Sequence, residues 1–258
     1  MRRIASIALH TFKESVRERV LYNLIVFALL LIGTAILFGS ISVGIERIIL
    51  VNLGLSSISV FGLLMAIFIG IGLVSKEIER QSISSILSKP VRRAEFILGK
   101  YLGLLLTLVI NTAIMTVGLY AALFYQKRTL AAADLVVLQA VYFIILQFAL
   151  VIGLALLFSC ISTPVLSAVF TFCVYVIGNF LADIRWFGQE TGSALIERGT
   201  TVLYYLLPNF SNFNAITQVA HGQGVPGYVL LSNSLYALLY VGILISAAIL
   251  IFEKREFR

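Results

Sequence analysis

Five stretches of this 258-residue chain carry no charged side chain: residues 20–45, 48–75, 101–126, 135–182 and 222–252. No other feature limits the fold as tightly. A helix needs about 20 apolar residues to cross roughly 30 Å of hydrocarbon. Helix is the form required, because lipid offers no partner for an open backbone polar group. The run 135–182 is long enough for two crossings. It breaks at Ser159-Cys160-Ile161-Ser162-Thr163-Pro164, where proline interrupts the helical ladder. Six spans follow, at 21–43, 50–74, 101–124, 136–158, 164–182 and 229–251. The predicted fold class is an all-α polytopic membrane protein, one transmembrane domain over 1–258. A composition that is 60% hydrophobic and 12% charged agrees.

A further uncharged run, 199–220, holds only the short apolar core 202–207 before Pro208-Asn209 and Ser211-Asn212-Phe213-Asn214. Lipid would not tolerate that polar backbone without partners, so the run reads as interfacial or re-entrant. Within the outer loop 183–227, two short helices are expected. Thr191 or Ser193 would cap the first, which runs to Leu207; Asn212 would cap the second, which ends near Gly222. That loop is either a gate or a segment resting on the membrane. Residues 3–20 form an amphipathic helix, with Ile4, Ile7, Ala8, Phe12, Val16 and Val20 opposite Arg3, His10, Lys13, Glu14 and Arg17. An in-plane interfacial helix leading into span 1 is the natural reading.

Lys and Arg set the orientation. With both termini inside, the inner segments hold 14 of the 19 cations and seven of the 12 acids, so the whole +7 net charge lies on one side. That is a topology signal with anionic headgroups and partner proteins as counterparts, and it does not call for nucleic acid. The expected location is the plasma (inner) membrane with cytosolic termini.

No span core contains Asp, Glu, Lys, Arg or His, which argues against a proton- or sodium-driven pump. Cys160 and Cys173 suggest neither a disulfide framework nor a metal site. No hydrolase or protease motif is visible. Gly99-Lys100 lacks the upstream glycine and the following Ser or Thr of a phosphate-binding loop. The chain is therefore not expected to be an enzyme or to hold a cofactor; if ATP drives it, ATP and Mg²⁺ bind another polypeptide.

Residues 75–100 are a charged island between spans 2 and 3, with six of the 19 cations. The island is either a solvated connector or a docking surface. Within it, 78–87 reads as a short helix with an apolar set Ile78, Ile83, Ile86 and Leu87. Glu77 and Glu79 lie in its first turn, where the helix dipole favours acids, and Pro90 stops it. Arg92, Arg93 and Lys100 flank the entry to span 3.

The segments Lys76-Glu77-Ile78-Glu79-Arg80-Gln81-Ser82-Ile83, Leu87-Ser88-Lys89-Pro90-Val91-Arg92-Arg93 and Phe96-Ile97-Leu98-Gly99-Lys100 resemble the signature of the ABC type-2 permeases. Gln81-Ser82 stands where that family has Gly-Thr, and Arg92 where it has Ser. The interfacial helix, six spans, membrane-dipping outer segment and Phe252–Phe257 tail are similar too.

The resemblance implies that the loop between spans 2 and 3 docks into a cytosolic ATPase, through Glu77, Ile78, Glu79, Arg80, Ile83, Ile86, Leu87, Pro90, Arg92 and Arg93. It implies two ATPase copies, and a second permease that is the same chain or a sister. It also implies a translocation path along spans 2 and 5. Candidate lining residues are Asn52, Ser56, Ser57 and Ser59, with Thr171, Tyr175 and Asn179; the alternative for each is a hydrogen bond between helices. Asn111, Gln139 and Gln147 read as such glue, and Gly62, Gly70, Gly72 and Gly153 as packing positions. Three functions stay open. One is the membrane subunit of an ATP-driven exporter of a lipid-like or amphipathic substrate. Another is a permease for a maturation or mechanotransmission complex with a periplasmic partner; the nitrous-oxide-reductase copper-maturation group is similar in size and layout. The last is a non-transporting membrane scaffold.

Overall fold

A computed structural model describes residues 2–41, 44–79, 93–128, 132–191 and 193–254, and every regular element among them is helical. In order they are α1 (Arg2–Val16), α2 (Arg19–Ile41), α3 (Glu46–Glu79), α4 (Arg93–Lys127), α5 (Ala132–Leu135), α6 (Val137–Ile161), α7 (Pro164–Asn179), α8 (Leu181–Glu190), α9 (Ala194–Leu206), a 3-10 turn (Phe210–Phe213), α10 (Ile216–Ala220) and α11 (Gly227–Lys254).

Helices α2, α3, α4, α6 and α11 are each long and apolar enough to cross a membrane. The sixth crossing is broken. Helices α7 and α8 qualify only as a pair and bend by 59°. The expected span 164–182 therefore stops at Asn179. Phe180 leaves the helical region (φ −105°, ψ 9°), and 16 residues rise only about 24 Å, short of the hydrocarbon thickness. Pro164 starts α7 as its sequence position indicates.

Lipid gives apolar helices little reason to leave it for one another, so packing rests on close fit. Helices α3 and α6 pack together at the centre, where Val51, Leu55, Ile58 and Met65 of the one and Phe143, Phe148 and Val151 of the other are all essentially inaccessible. A Cβ on Gly62 would stand 2.1 Å from the Phe148 ring, so only glycine admits that ring. Gly70 faces Ala155 and Gly153 faces Leu244, while Gly72 has open space around it. Outside this pair, α2 and α11 expose Phe27, Leu30, Leu37 and Phe38, and Leu231, Leu238 and Ile243, as lipid-facing helices do.

Both chain ends gather at one end of the bundle, called here the termini end. Helix α1 lies along α4, and a Cβ on Gly103 would stand 2.6 Å from the Ala8 carbonyl. Its buried line is centred on Thr11 and Ser15, with Phe12 and Val16 only partly covered. The helix ends at Val16 rather than near 20. The Arg17 and Glu18 amides reach back only three residues, to the carbonyls of Glu14 and Ser15 (both 3.1 Å), which tightens the last turn and stops it. Val20 belongs to α2. Lys100, on the first turns of α4, lies 3.6 Å from Glu14 of α1. Arg93 donates to the carbonyls of Phe252 (3.0 Å) and Glu253 (2.8 Å) at the end of α11, and Phe96 stacks on Phe252. A cation on the last carbonyls of a helix satisfies acceptors that have no partner within it.

Candidate functional site

The two longest helices flank the charged island. Helix α3 has 34 residues and α4 has 35, about 51 and 52 Å, against roughly 40–45 Å for a bilayer with headgroups. Helix α3 continues one turn past its last uncharged residue, Ser75, and α4 begins two turns before Tyr101. Their charged ends, 76–79 on α3 and 93–100 on α4, extend beyond the uncharged runs at the termini end. Glu77, Ile78 and Glu79 lie on the last turn of α3 and Arg93 opens α4. Arg80, Ile83, Ile86, Leu87, Pro90 and Arg92, and with them most of the 78–87 helix, lie outside the described residues.

At the opposite, far end, the segment between α7 and α11 re-enters the bundle. Its depth can be read along α11, which starts at the far end with Gly227. Asn233 Nδ2 donates to the Asn212 carbonyl (2.7 Å), the Tyr236 hydroxyl accepts from the Asn209 amide (2.9 Å), and the Tyr240 hydroxyl donates to the Leu206 carbonyl. Tyr240 is 13 residues into α11, so Leu206 sits about 20 Å below its start. Irregular backbone at such depth persists only where side chains satisfy it. Asn233, Tyr236 and Tyr240, at i, i+3 and i+7, supply that on one helix face, and Asn209 Oδ1 accepts from the Ser211 amide (3.1 Å). The polar stripe in span 6 is the signal that the sequence offers for these three residues. Gly178 lets the segment close on α7: a Cβ there would stand 2.5 Å from the Pro208 carbonyl.

Helices α8 and α9 form an antiparallel pair held by the Arg185 guanidinium over the Tyr204 and Tyr205 rings (4.7 and 5.6 Å). Helix α8 was not expected from sequence. Ser193 stands at the start of α9 without a side-chain capping bond, and α9 ends at Leu206. Asn214 rather than Asn212 accepts from the first amide of α10 (Ile216, 3.4 Å). Two polar contacts then return the chain to the far end. Arg47 Nε meets Asp134 Oδ1 at 3.0 Å, with the Asp134 side chain 1% exposed, while Arg47 Nη1 donates to the Ala220 carbonyl (2.7 Å). Gln139 Oε1 accepts from the Val225 amide (2.7 Å).

The expected path residues divide. Ser59 on α3 and Tyr175 on α7 come together, joined by Gln147 of α6, whose Nε2 donates to the Tyr175 hydroxyl at 2.7 Å. Thr171 is buried and donates to the Ser167 carbonyl of its own helix; Ser57 does the same to Leu53, and Asn179 to the Tyr175 carbonyl. Asn52 and Ser56 are half-buried on the shoulder of a narrow exposed strip, Leu53-Val60-Phe68. Between Met65, Gly70, Leu104, Thr107 and Ile152 the space left is too narrow for a water molecule.

A family model described as ABC-2 family transporter protein matches residues 5–257, nearly the whole chain. The chain belongs to the ABC-2 transporter family. It is a multi-pass membrane protein and the permease subunit of an ABC transporter, in a family whose members associate with an ABC ATPase and dimerise. No curated protein matches it. Within the permease, Gln147 is the glue residue that sequence placed correctly, and Gln139 ties the outer segment instead of a neighbouring span. The Arg47–Asp134 pair was invisible beforehand, because its members are 87 positions apart.

Proposed function

We propose that this permease passes the work of a separate ATPase into the membrane through residues 76–100, and exports a lipid-like or amphipathic substrate. One observation carries the reading: the two helices that overrun the bilayer are the two that present this segment. Glu77, Glu79, Arg80 and Arg92 would set register against the partner, and Ile78, Ile83, Ile86 and Leu87 would fill an apolar groove ahead of Pro90. Arg93 contributes from inside, by fixing the loop's exit to the end of α11. ATP and Mg²⁺ bind the partner chain, and two ATPase copies serve two permeases. The termini and the 76–100 segment face the cytosol, as the cation bias asks.

The tight space between α3, α4 and α6 supports a path between permease copies instead of through one of them. In that reading Asn52 and Ser56 border the path. Ser59, Thr171, Tyr175 and Asn179 brace the helices that frame it.

The test is the double variant Glu79→Lys/Leu87→Asp, with neither change in a span. It should insert and fold normally, yet lose co-purification of the ATPase and substrate-stimulated hydrolysis in reconstituted membranes. Full retention of both would sink the coupling role. Cysteines at Ser88 and Gly192 should label from opposite sides of the membrane; labelling from the same side would overturn the topology.

A further inference from the structure

The elbow between α1 and α2 holds a cavity of about 610 Å³. Its wall carries His10, Lys13, Arg17 and Arg19, with Glu14 and Glu18, and Val20 at its edge. The cations crowd there for a simple reason. Helix α1 buries its Thr11 and Ser15 line against α4, so His10, Lys13 and Arg17, at i, i+3 and i+7, stand exposed on another side. The break after Val16 then brings Arg19 round to meet them. Of the two carboxylates, Glu14 lies beside Lys100 on α4, which offsets its charge. The cavity is left net positive.

Its position selects the ligand. Arg19 immediately precedes the first apolar run, which puts the cavity at headgroup level. Next to it on α2, Val20, Tyr22, Val26 and Phe27 expose 49–57% of their surface. A free phosphate would use the basic wall alone. An anionic glycerophospholipid uses the wall for its phosphate and the exposed side of α2 for its chains. We propose that the α1–α2 elbow binds one anionic glycerophospholipid, its headgroup phosphate held by Lys13, Arg17 and Arg19. The proposal needs only that α2 crosses the membrane. It stands or falls separately from ATP coupling.

The experiment offers full-length permease in mixed micelles equal amounts of phosphatidylglycerol and phosphatidylcholine, and counts retained lipid by native mass spectrometry. Each cation near an anionic surface contributes about a fivefold preference. Wild-type protein should retain one phosphatidylglycerol per chain with at least about tenfold preference. The preference should vanish in Lys13→Gln/Arg17→Gln/Arg19→Gln, and persist in Arg198→Gln, whose site is exposed on α9. Raising the salt should weaken it in unmodified protein, a readout that does not depend on the triple variant folding. Equal retention of the two lipids by wild type would overturn the proposal. So would displacement of the lipid by excess inorganic phosphate, which would make the elbow a free-phosphate site.

Discussion

The two ends of the bundle are held shut by different chemistry. At the termini end, helix ends grip one another: α1 lies flush on α4, and Arg93 caps α11. These contacts run between regular helices, with Thr11, Ser15 and Lys100 buried among them. At the far end, irregular backbone is folded into the membrane and held by individual side chains, the Arg47–Asp134 pair and the Asn233–Tyr236–Tyr240 ladder. The contrast is between packed helix ends and a segment held by individual side chains. Contacts between packed helix ends tolerate single losses. A buried polar network in an apolar setting does not, because each lost partner strands a group that lipid cannot satisfy.

The sharpest way to break this comparison is to remove one charge at the far end. Arg47→Ala takes the guanidinium away from the buried Asp134 carboxylate, and should destabilise the protein by about 3–5 kcal/mol. The double change Arg47→Met/Asp134→Leu should recover most of that. Thermal unfolding in detergent measures both. If Arg47→Ala costs no more than the double variant, the pair is not the clasp described.

A smaller effect should follow at the ladder. Tyr236→Phe/Tyr240→Phe withdraws an acceptor from the buried Asn209 and a donor from the exposed Leu206 carbonyl, at about 1–3 kcal/mol for the first and less for the second. The outer segment should then loosen. A cysteine at Ala215, buried in the parent protein, should become reactive to a membrane-impermeant maleimide. Unchanged reactivity would mean that α7 and α6 hold the segment without α11.

At the termini end, Arg93→Ala should cost only about 1 kcal/mol, because the guanidinium is exposed and solvent takes over its role. Its larger consequence should be on coupling, with more ATP hydrolysed per substrate moved. Arg93→Lys should restore part of this, since any cation serves the helix end. Smallest of all is Tyr175→Phe, which removes the Gln147 bond at about 0.6 kcal/mol, the average for polar contacts between spans. An effect several times larger on transport than on stability would move Tyr175 from brace to path lining.

Five long apolar helices, the break at Pro164 and a separate N-terminal helix were legible in the residues. Each rests on a local rule: a run of about 20 apolar side chains, a missing amide, a helical stripe. Boundaries were less so. Helix α3 runs on to Glu79 and α4 starts at Arg93, because charged residues outside the slab are ordinary helix formers. The bend at Phe180 carries no proline and follows Gly178 by two residues. It reflects the demands of the Pro208–Phe210 backbone packing beside Gly178.

Sequence alone determined that this chain must be a bundle of membrane-crossing helices with one strongly charged connection, since the solvent preference of each residue acts wherever the chain goes. Tertiary structure alone decided which polar residues would meet. Ser59 could reach Tyr175, Arg47 could reach Asp134, and Tyr240 could reach Leu206 only once separate helices were side by side. A hydrogen bond depends on a few tenths of an ångström between atoms far apart in the chain, and no local pattern encodes that distance.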